Sequence, residues 1–160
     1  ENHFMFDSPL GPIQIRSSST HITAIEFHDK NERHNYAHSD LELQCEKELN
    51  EYFAGKREVF TFPFEQPGTE FQQRVWAELM RIPFGTTISY HGLSVRLGDP
   101  KCIRAAGTAN GKNNIAIVIP CQRVIGSDGS LTGYAGGLEK KEWLLRHEKS
   151  LPGMSQLQMF

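Results

Sequence analysis

Apolar and polar residues alternate imperfectly over the first 27 positions. Ile13 and Ile15, then Ile22, Ala24, Ile25 and Phe27, keep the spacing of strands with one buried face. Three short strands are predicted over His3–Asp7, Ile13–Ser17 and His21–Phe27, separated by Ser-Pro-Leu-Gly-Pro and a serine cluster, both turn-prone. Residues 29–38 are polar and read as a loop. From Ser39 the period becomes helical: Leu41, Cys45, Leu49, Tyr52 and Phe53 share one face, Ser39 and Glu42 have capping-box spacing, and Gly55 closes the helix. A second capping box, Thr69 with Gln72, opens a helix with Phe71, Val75, Trp76, Leu79 and Met80 on its apolar face, ending before Pro83.

The second half is organised around one cysteine. After Phe84-Gly85, Thr86–Tyr90 reads as a short extended piece. His91–Leu97 reads as a short helix, Gly98-Asp99 as a tight turn, and Pro100–Asn110 as a helix with proline at its first position behind an aspartate cap. This is the spacing of a helix-turn-helix, in which Ala105, Ala106, Gly107 and Ala109 allow close backbone approach and Lys101 and Arg104 neutralise phosphates. Two helices that merely pack together have the same pattern. A turn cluster, residues 110–114, leads into the apolar run Ile115–Ile119, which predicts a buried extended segment delivering Cys121 through Pro120. Gly136-Gly137 precedes a last helix, Leu138–Lys149, and the tail from Ser150 has no periodicity. Residues 58–68, with Pro63, Pro67 and Gly68, read as a linker between the two parts. The expected organisation is an N-terminal α/β domain (1–67), a C-terminal domain (68–150) and a tail (151–160). The fold class is α+β: a small antiparallel sheet with a helix, followed by a mostly helical, winged helix-turn-helix-like domain.

Charge sharpens this division. Residues 1–68 carry six Lys+Arg against twelve Asp+Glu, and residues 69–160 carry eleven against seven. Between Arg96 and Arg123, Arg96, Lys101, Arg104, Lys112 and Arg123 face Asp99 alone. A basic face on an acidic protein suits a polyanion, although solvated surface charge has the same composition. No apolar run approaches the roughly 18 residues that span a bilayer, and no signal-peptide pattern opens the sequence. Three cysteines, Cys45, Cys102 and Cys121, form no paired framework, and a reducing, intracellular setting (cytoplasm, or nucleus in a eukaryote) is expected. His28, His34 and His38 with Cys45 match no tetrahedral zinc spacing, so neither a metal nor a cofactor is expected.

A basic neighbour, Arg123, and the glycines that follow can lower the Cys121 thiol pKa or stabilise its thiolate, whereas a buried cysteine is otherwise inert. Several motifs in register decide between these readings. Pro120-Cys121-Gln122-Arg123-Val124, Gly133-Tyr134-Ala135-Gly136-Gly137-Leu138 and Lys141-Glu142-Trp143-Leu144-Leu145-Arg146-His147-Glu148 resemble the O6-alkylguanine-DNA alkyltransferase family. Phe84-Gly85-Thr86-Thr87, Tyr90 and Arg104-Ala105-Ala106-Gly107 stand upstream in the family's order. The resemblance is dense from Phe71 to Glu148 and thinner in Ser8-Pro9-Leu10-Gly11 and Glu51-Tyr52-Phe53-Ala54-Gly55.

The resemblance implies a single-turnover repair protein that acts as a monomer on double-stranded DNA carrying O6-alkylguanine. A helix-turn-helix containing Lys101, Ala105 and Gly107 would bind the duplex and the damaged base would be extruded, since its O6 carbon is out of a thiol's reach inside the stack. By the same resemblance Cys121 is the alkyl acceptor, Arg104 fills the gap left by the base, and Tyr90 lies beside the flipped nucleotide. The carbonyls of Cys121 and Val124 read the exocyclic amine, and Ala135, next to Tyr134, turns its N–H toward O6. Asn113 ties the turn to the active-site segment and Glu148 anchors a proton relay. The family has histidine where this chain has Gln122. Glutamine does not titrate and cannot be a general base, so slowed transfer is expected, with Gln122 orienting the water and Glu148 receiving the proton directly. Two alternatives stay open: a lesion-binding protein that flips O6-alkylguanine without transfer, and a cysteine hydrolase using His147, for which no oxyanion hole is evident.

Overall fold

The computed structural model describes residues 2–29 and 36–150. The fold is α+β, and the chain divides into two compact units, Glu1–Pro67 with Asn114–Val118 and Gly68–Asn113 with Ile119–Phe160. The division is therefore not purely sequential, because five residues of the later chain pack with the first unit.

In the first unit, strands β1 (Asn2–Ser8), β2 (Gly11–Ser17) and β3 (Ile22–Phe27) form an antiparallel sheet in that order, with Phe4 opposite Ile15 and Ile15 opposite Ile25. The face carrying Phe4, Phe6, Ile13 and Ile15 is buried, as alternation requires. Helix α1 (Asp40–Phe53) starts at the expected capping box, Ser39 with Glu42, and buries Cys45, Leu49 and Tyr52. Gly55, at φ +77°, follows its end in a left-handed conformation that favours glycine. Of the predicted loop 29–38, residues 30–35, His34 among them, lie outside the described residues, as does the tail 151–160.

The run Ile115–Ile119 is not an extended segment throughout. Ile115 makes a single parallel bridge to Ile25, after which the chain turns and Ile117 adopts φ 73°. A β-branched residue in the left-handed region is a strained exception held by its buried surroundings. Apolar content gave the burial correctly, but it carries no information about a turn made with buried side chains.

The second unit contains α2 (Glu70–Leu79), β4 (Ile88–Ser89), α3 (Tyr90–Arg96), α4 (Ile103–Gly111), β5 (Val124–Ile125) and α5 (Leu138–His147). The Thr69–Gln72 capping box opens α2 as expected. Gly68 is required there, since a Cβ would meet the Trp76 ring at 2.6 Å. Helix α3 starts one residue earlier than predicted because Ser89 caps it, accepting from Gly92 N–H at 2.9 Å. The predicted helix Pro100–Asn110 is split: Asp99 caps a 3₁₀ turn over Pro100–Cys102, and α4 begins at Ile103. Two contacts from α2 fix this helix pair. Arg74 donates to the Leu97 carbonyl at 2.8 Å, and the Trp76 indole donates to the Ala109 carbonyl at 3.0 Å. Helix α5 ends at His147, two residues before the predicted end, where Lys149 turns left-handed and Ser150 and Lys149 donate back to Leu145 and Arg146.

Candidate active site

Cys121 is the first residue of a 3₁₀ turn, Cys121–Arg123, and is 8% exposed. Its N–H donates to the Ile119 carbonyl across Pro120 at 2.7 Å, which narrows the freedom of the turn. Asn113, just beyond α4, donates through Nδ2 to the Ile119 carbonyl at 3.0 Å and to Cys121 Sγ at 3.4 Å. One amide thus holds both the backbone before the cysteine and the sulfur itself.

The residues after Cys121 are buried and paired. Gln122 donates through Nε2 to Glu148 Oε2 at 3.0 Å, and Arg123 donates through Nε to Glu148 Oε1 at 2.8 Å. Arg123 also donates to the Ile82 carbonyl at 2.8 Å, with its guanidinium 5.6 Å from the centre of the Phe84 ring. The basic flank is therefore turned into an ion pair with Glu148 and is not the charge that assists the thiol. Both Glu148 oxygens accept from the turn, a geometry that makes this carboxylate an anchor for residues 122–123.

The assisting charge comes from Lys141, to which the sequence reading gave no role. Lys141 is wholly buried, and its Nζ donates to the carbonyls of Val124 (2.7 Å), Thr132 (2.7 Å) and Gly133 (3.2 Å). Its ammonium lies 5.9 Å from the centre of the Tyr90 ring, and the Tyr90 hydroxyl donates to the same Thr132 carbonyl at 3.1 Å. Burial pushes the Cys121 thiol up from its ordinary value, and the Asn113 hydrogen bond and the Lys141 charge work against that rise. Burial brings Lys141 down to about 8, opposed by the Cys121 charge. Burial, then the charges of Cys121 and Glu148, raise the Tyr134 phenol. The sequence held a signal for Lys141: with Leu144, Leu145 and Glu148 it falls on one helical face, which is the buried one.

The remaining predicted residues fall into two groups. Lys101, Arg104 and Ala105 are exposed on the 3₁₀ turn and α4, while Ala106 and Ala109 of the same helix face inward. Gly107 faces Tyr90, where a Cβ would stand 3.6 Å from the ring. Val124 is buried in β5, which pairs in parallel with β4 so that Ile88 lies opposite Val124. Ala135 is exposed and Tyr134 partly so, both in the loop before α5. His147, the alternative base, stacks on Trp143 with ring centres 5.0 Å apart. Among the described residues, no group of three or more His, Cys, Asp or Glu could hold a metal ion, and no helix is long and apolar enough to cross a membrane.

Comparison with known proteins agrees over nearly the whole chain. The family described as 6-O-methylguanine DNA methyltransferase, DNA binding domain, matches residues 70–150, and its ribonuclease-like domain matches residues 3–66. A methylated-DNA–protein-cysteine methyltransferase of Methanosarcina barkeri is 40% identical over 151 residues, covering 91% of this chain and 96% of the relative. One of the same name from Shigella flexneri is 42% identical over 159 residues, covering 88% and 91%. The crystal structure of Mycobacterium tuberculosis OGT in complex with DNA superposes with a TM-score of 0.82 at 40% identity, covering 96% of this chain and 97% of that one. With both halves matched in order and the cysteine turn in place, this chain belongs to the 6-O-methylguanine DNA methyltransferase family.

Proposed function

We propose that this protein repairs O6-alkylguanine in double-stranded DNA by moving the alkyl group irreversibly onto Cys121. The observation that carries the reading is the buried Cys121 sulfur, held by Asn113 and assisted by the Lys141 charge, in a unit that also presents Lys101 and Arg104 to solvent. In the transfer, the S–C bond forms as the bond from carbon to O6 breaks. The proton that leaves the thiol is balanced by one gained at N1 of the restored guanine. Lys101, Ala105 and Gly107 belong to the helix pair that docks on the duplex, and Arg104 enters the stack where the base has left. Tyr90, Tyr134, Ala135 and the carbonyl of Val124 line the position of the extruded base. Asn113 positions the sulfur, and Glu148 anchors Gln122 and Arg123.

Gln122 has no ionisable proton, so it orders a water or the substrate without acting as a base. Its Oε1 is buried and has no hydrogen-bond partner among the described residues. The thiolate fraction then depends on Lys141 and Asn113, and transfer is slower than a titrating relay would allow. Replacing Gln122 by histidine is expected to raise the single-turnover rate by about tenfold, the effect of one unit of thiol pKa. An unchanged rate in Gln122→His would refute the relay argument.

The test of the function is a mass measurement. The protein is incubated with a duplex oligonucleotide containing O6-methylguanine, then weighed intact and as peptides. One added methyl on the peptide containing Cys121, absent in Cys121→Ala, is the expected result. Tight lesion binding with unchanged mass would instead indicate a protein that flips the base without transfer.

A further inference from the structure

Part of the expected linker is bound to strand β3. The Ile22 N–H donates to the Pro63 carbonyl at 3.0 Å, and the Glu65 N–H donates to the Ile22 carbonyl at 3.0 Å. Further along the strand, the Ile25 N–H donates to the Asn114 carbonyl at 2.8 Å, and the Ala116 N–H donates to the Ile25 carbonyl at 3.0 Å. In a regular strand Ile22 and Ile25, three residues apart, would aim these groups at opposite edges. A bulge removes the conflict. Arg16 lies opposite Ala24 and Ser17 opposite Ile22, which leaves Thr23 as the extra residue. One edge of β3 so receives both segments, each in parallel, Phe64 level with Ile22 and Ile115 level with Ile25. That register brings Gln66 to Asn114. Gln66, 8% exposed, accepts from the Asn114 N–H through Oε1 at 2.9 Å. Unlike the bonds to Ile25, this one is made by a side chain.

The bond bears on the sulfur through one peptide plane. A peptide unit is planar, so an anchored Asn114 N–H fixes the main chain of Asn113 on its C-terminal side. On the other side the Asn113 N–H reaches the Asn110 carbonyl over 3.4 Å, a long contact. The Asn113 amide has to meet two acceptors at once, the Ile119 carbonyl at 3.0 Å and Cys121 Sγ at 3.4 Å. Hydrogen bonds weaken steeply with misalignment, so a small rotation of Asn113 gives up the longer bond, the one to sulfur.

We propose that Gln66 is a positioning residue for transfer: by accepting from the Asn114 N–H, it holds the Asn113–Asn114 peptide in the orientation from which Asn113 binds the Cys121 sulfur. The proposal rests on Cys121 as the alkyl acceptor.

The experiment compares the full-length wild type with Gln66→Leu, Asn113→Ala and the double variant. Single-turnover methyl transfer is measured from a duplex carrying O6-methylguanine. Alkylation of Cys121 by iodoacetamide is followed across pH by peptide mass, without DNA. Gln66→Leu is expected to slow transfer by about three- to tenfold, the effect of one hydrogen bond, and to raise the pH midpoint of Cys121 alkylation. The rise follows because the Asn113 bond opposes the effect of burial on the thiol. Lys141 and Tyr134, the ionisable groups coupled to the sulfur, are the same in every arm. In the Asn113→Ala background Gln66→Leu should leave the midpoint where it is, since the amide that meets the sulfur is already gone. A residue that only supports the edge of β3 would lower the melting temperature without moving the midpoint, and that result overturns the proposal. Equal shifts in both backgrounds overturn it too. Gln66→Ala gives the same comparison if the leucine variant loses its cooperative thermal transition. Absence of methyl on wild-type Cys121 would overturn the transferase reading, whereas the iodoacetamide comparison would still decide the role of Gln66.

Discussion

Arg123→Leu is expected to lower the melting temperature by on the order of 10 °C or more, because it strands a carboxylate in the interior. Glu148 is 1% exposed, and Arg123 meets it at 2.8 Å while also satisfying the Ile82 carbonyl. Removing one member of such a pair costs about 3–5 kcal/mol, much of it from leaving the partner charged and desolvated. The pair itself contributes far less than that figure. The double variant Arg123→Leu/Glu148→Leu should therefore recover a large part of the loss. Thermal melts followed by circular dichroism measure both. A single-variant shift of only a degree or two would mean that water reaches Glu148 freely, contrary to its burial.

Lys141→Met is expected to slow transfer at pH 7 by about ten- to a hundredfold and to move the pH at which Cys121 reacts upward. The sign follows from the Lys141 charge, which together with the Asn113 hydrogen bond opposes burial at the thiol. Burial favours the neutral form, and the Lys141 ammonium favours the thiolate. Without the ammonium the thiol rises further, and each unit of rise removes about nine-tenths of the thiolate at neutral pH. Lys141 is itself brought down to about 8, so its assistance is present below that pH and fades above it. The gap between wild type and variant should narrow as pH rises past 8. Alkylation of Cys121 by iodoacetamide, followed by peptide mass across pH, reads this without DNA and separates Cys121 from Cys45 and Cys102. Identical pH midpoints in the two proteins would remove Lys141 from the activation of the thiol and leave it as a tether of the Val124, Thr132 and Gly133 carbonyls.

Gln122 is the position at which the cysteine motif departs from the family resemblance. It donates to Glu148 through Nε2, and an amide, unlike an imidazole, does not titrate.

The sequence by itself determined the elements whose signals are local. The capping boxes at Ser39 and Thr69, the strand alternation around Ile13 and Ile15, and the Asp99-Pro100 start all depend on residues within a few positions of one another. Resemblance in register also singled out Cys121, Asn113 and Glu148. Only the tertiary structure decided what those residues touch. Arg123, beside the cysteine in sequence, is drawn to Glu148 because a buried carboxylate needs a cation. Lys141, twenty residues away, becomes the charge that assists the sulfur because α5 turns it into the interior. Ile117 turns left-handed inside an apolar run, and Asn110 reaches the Cys121 carbonyl from α4, neither of which leaves a trace in periodicity. Local pattern fixes which face of an element is buried. The partners of a buried charge or amide are fixed by packing, which brings together groups far apart in the chain.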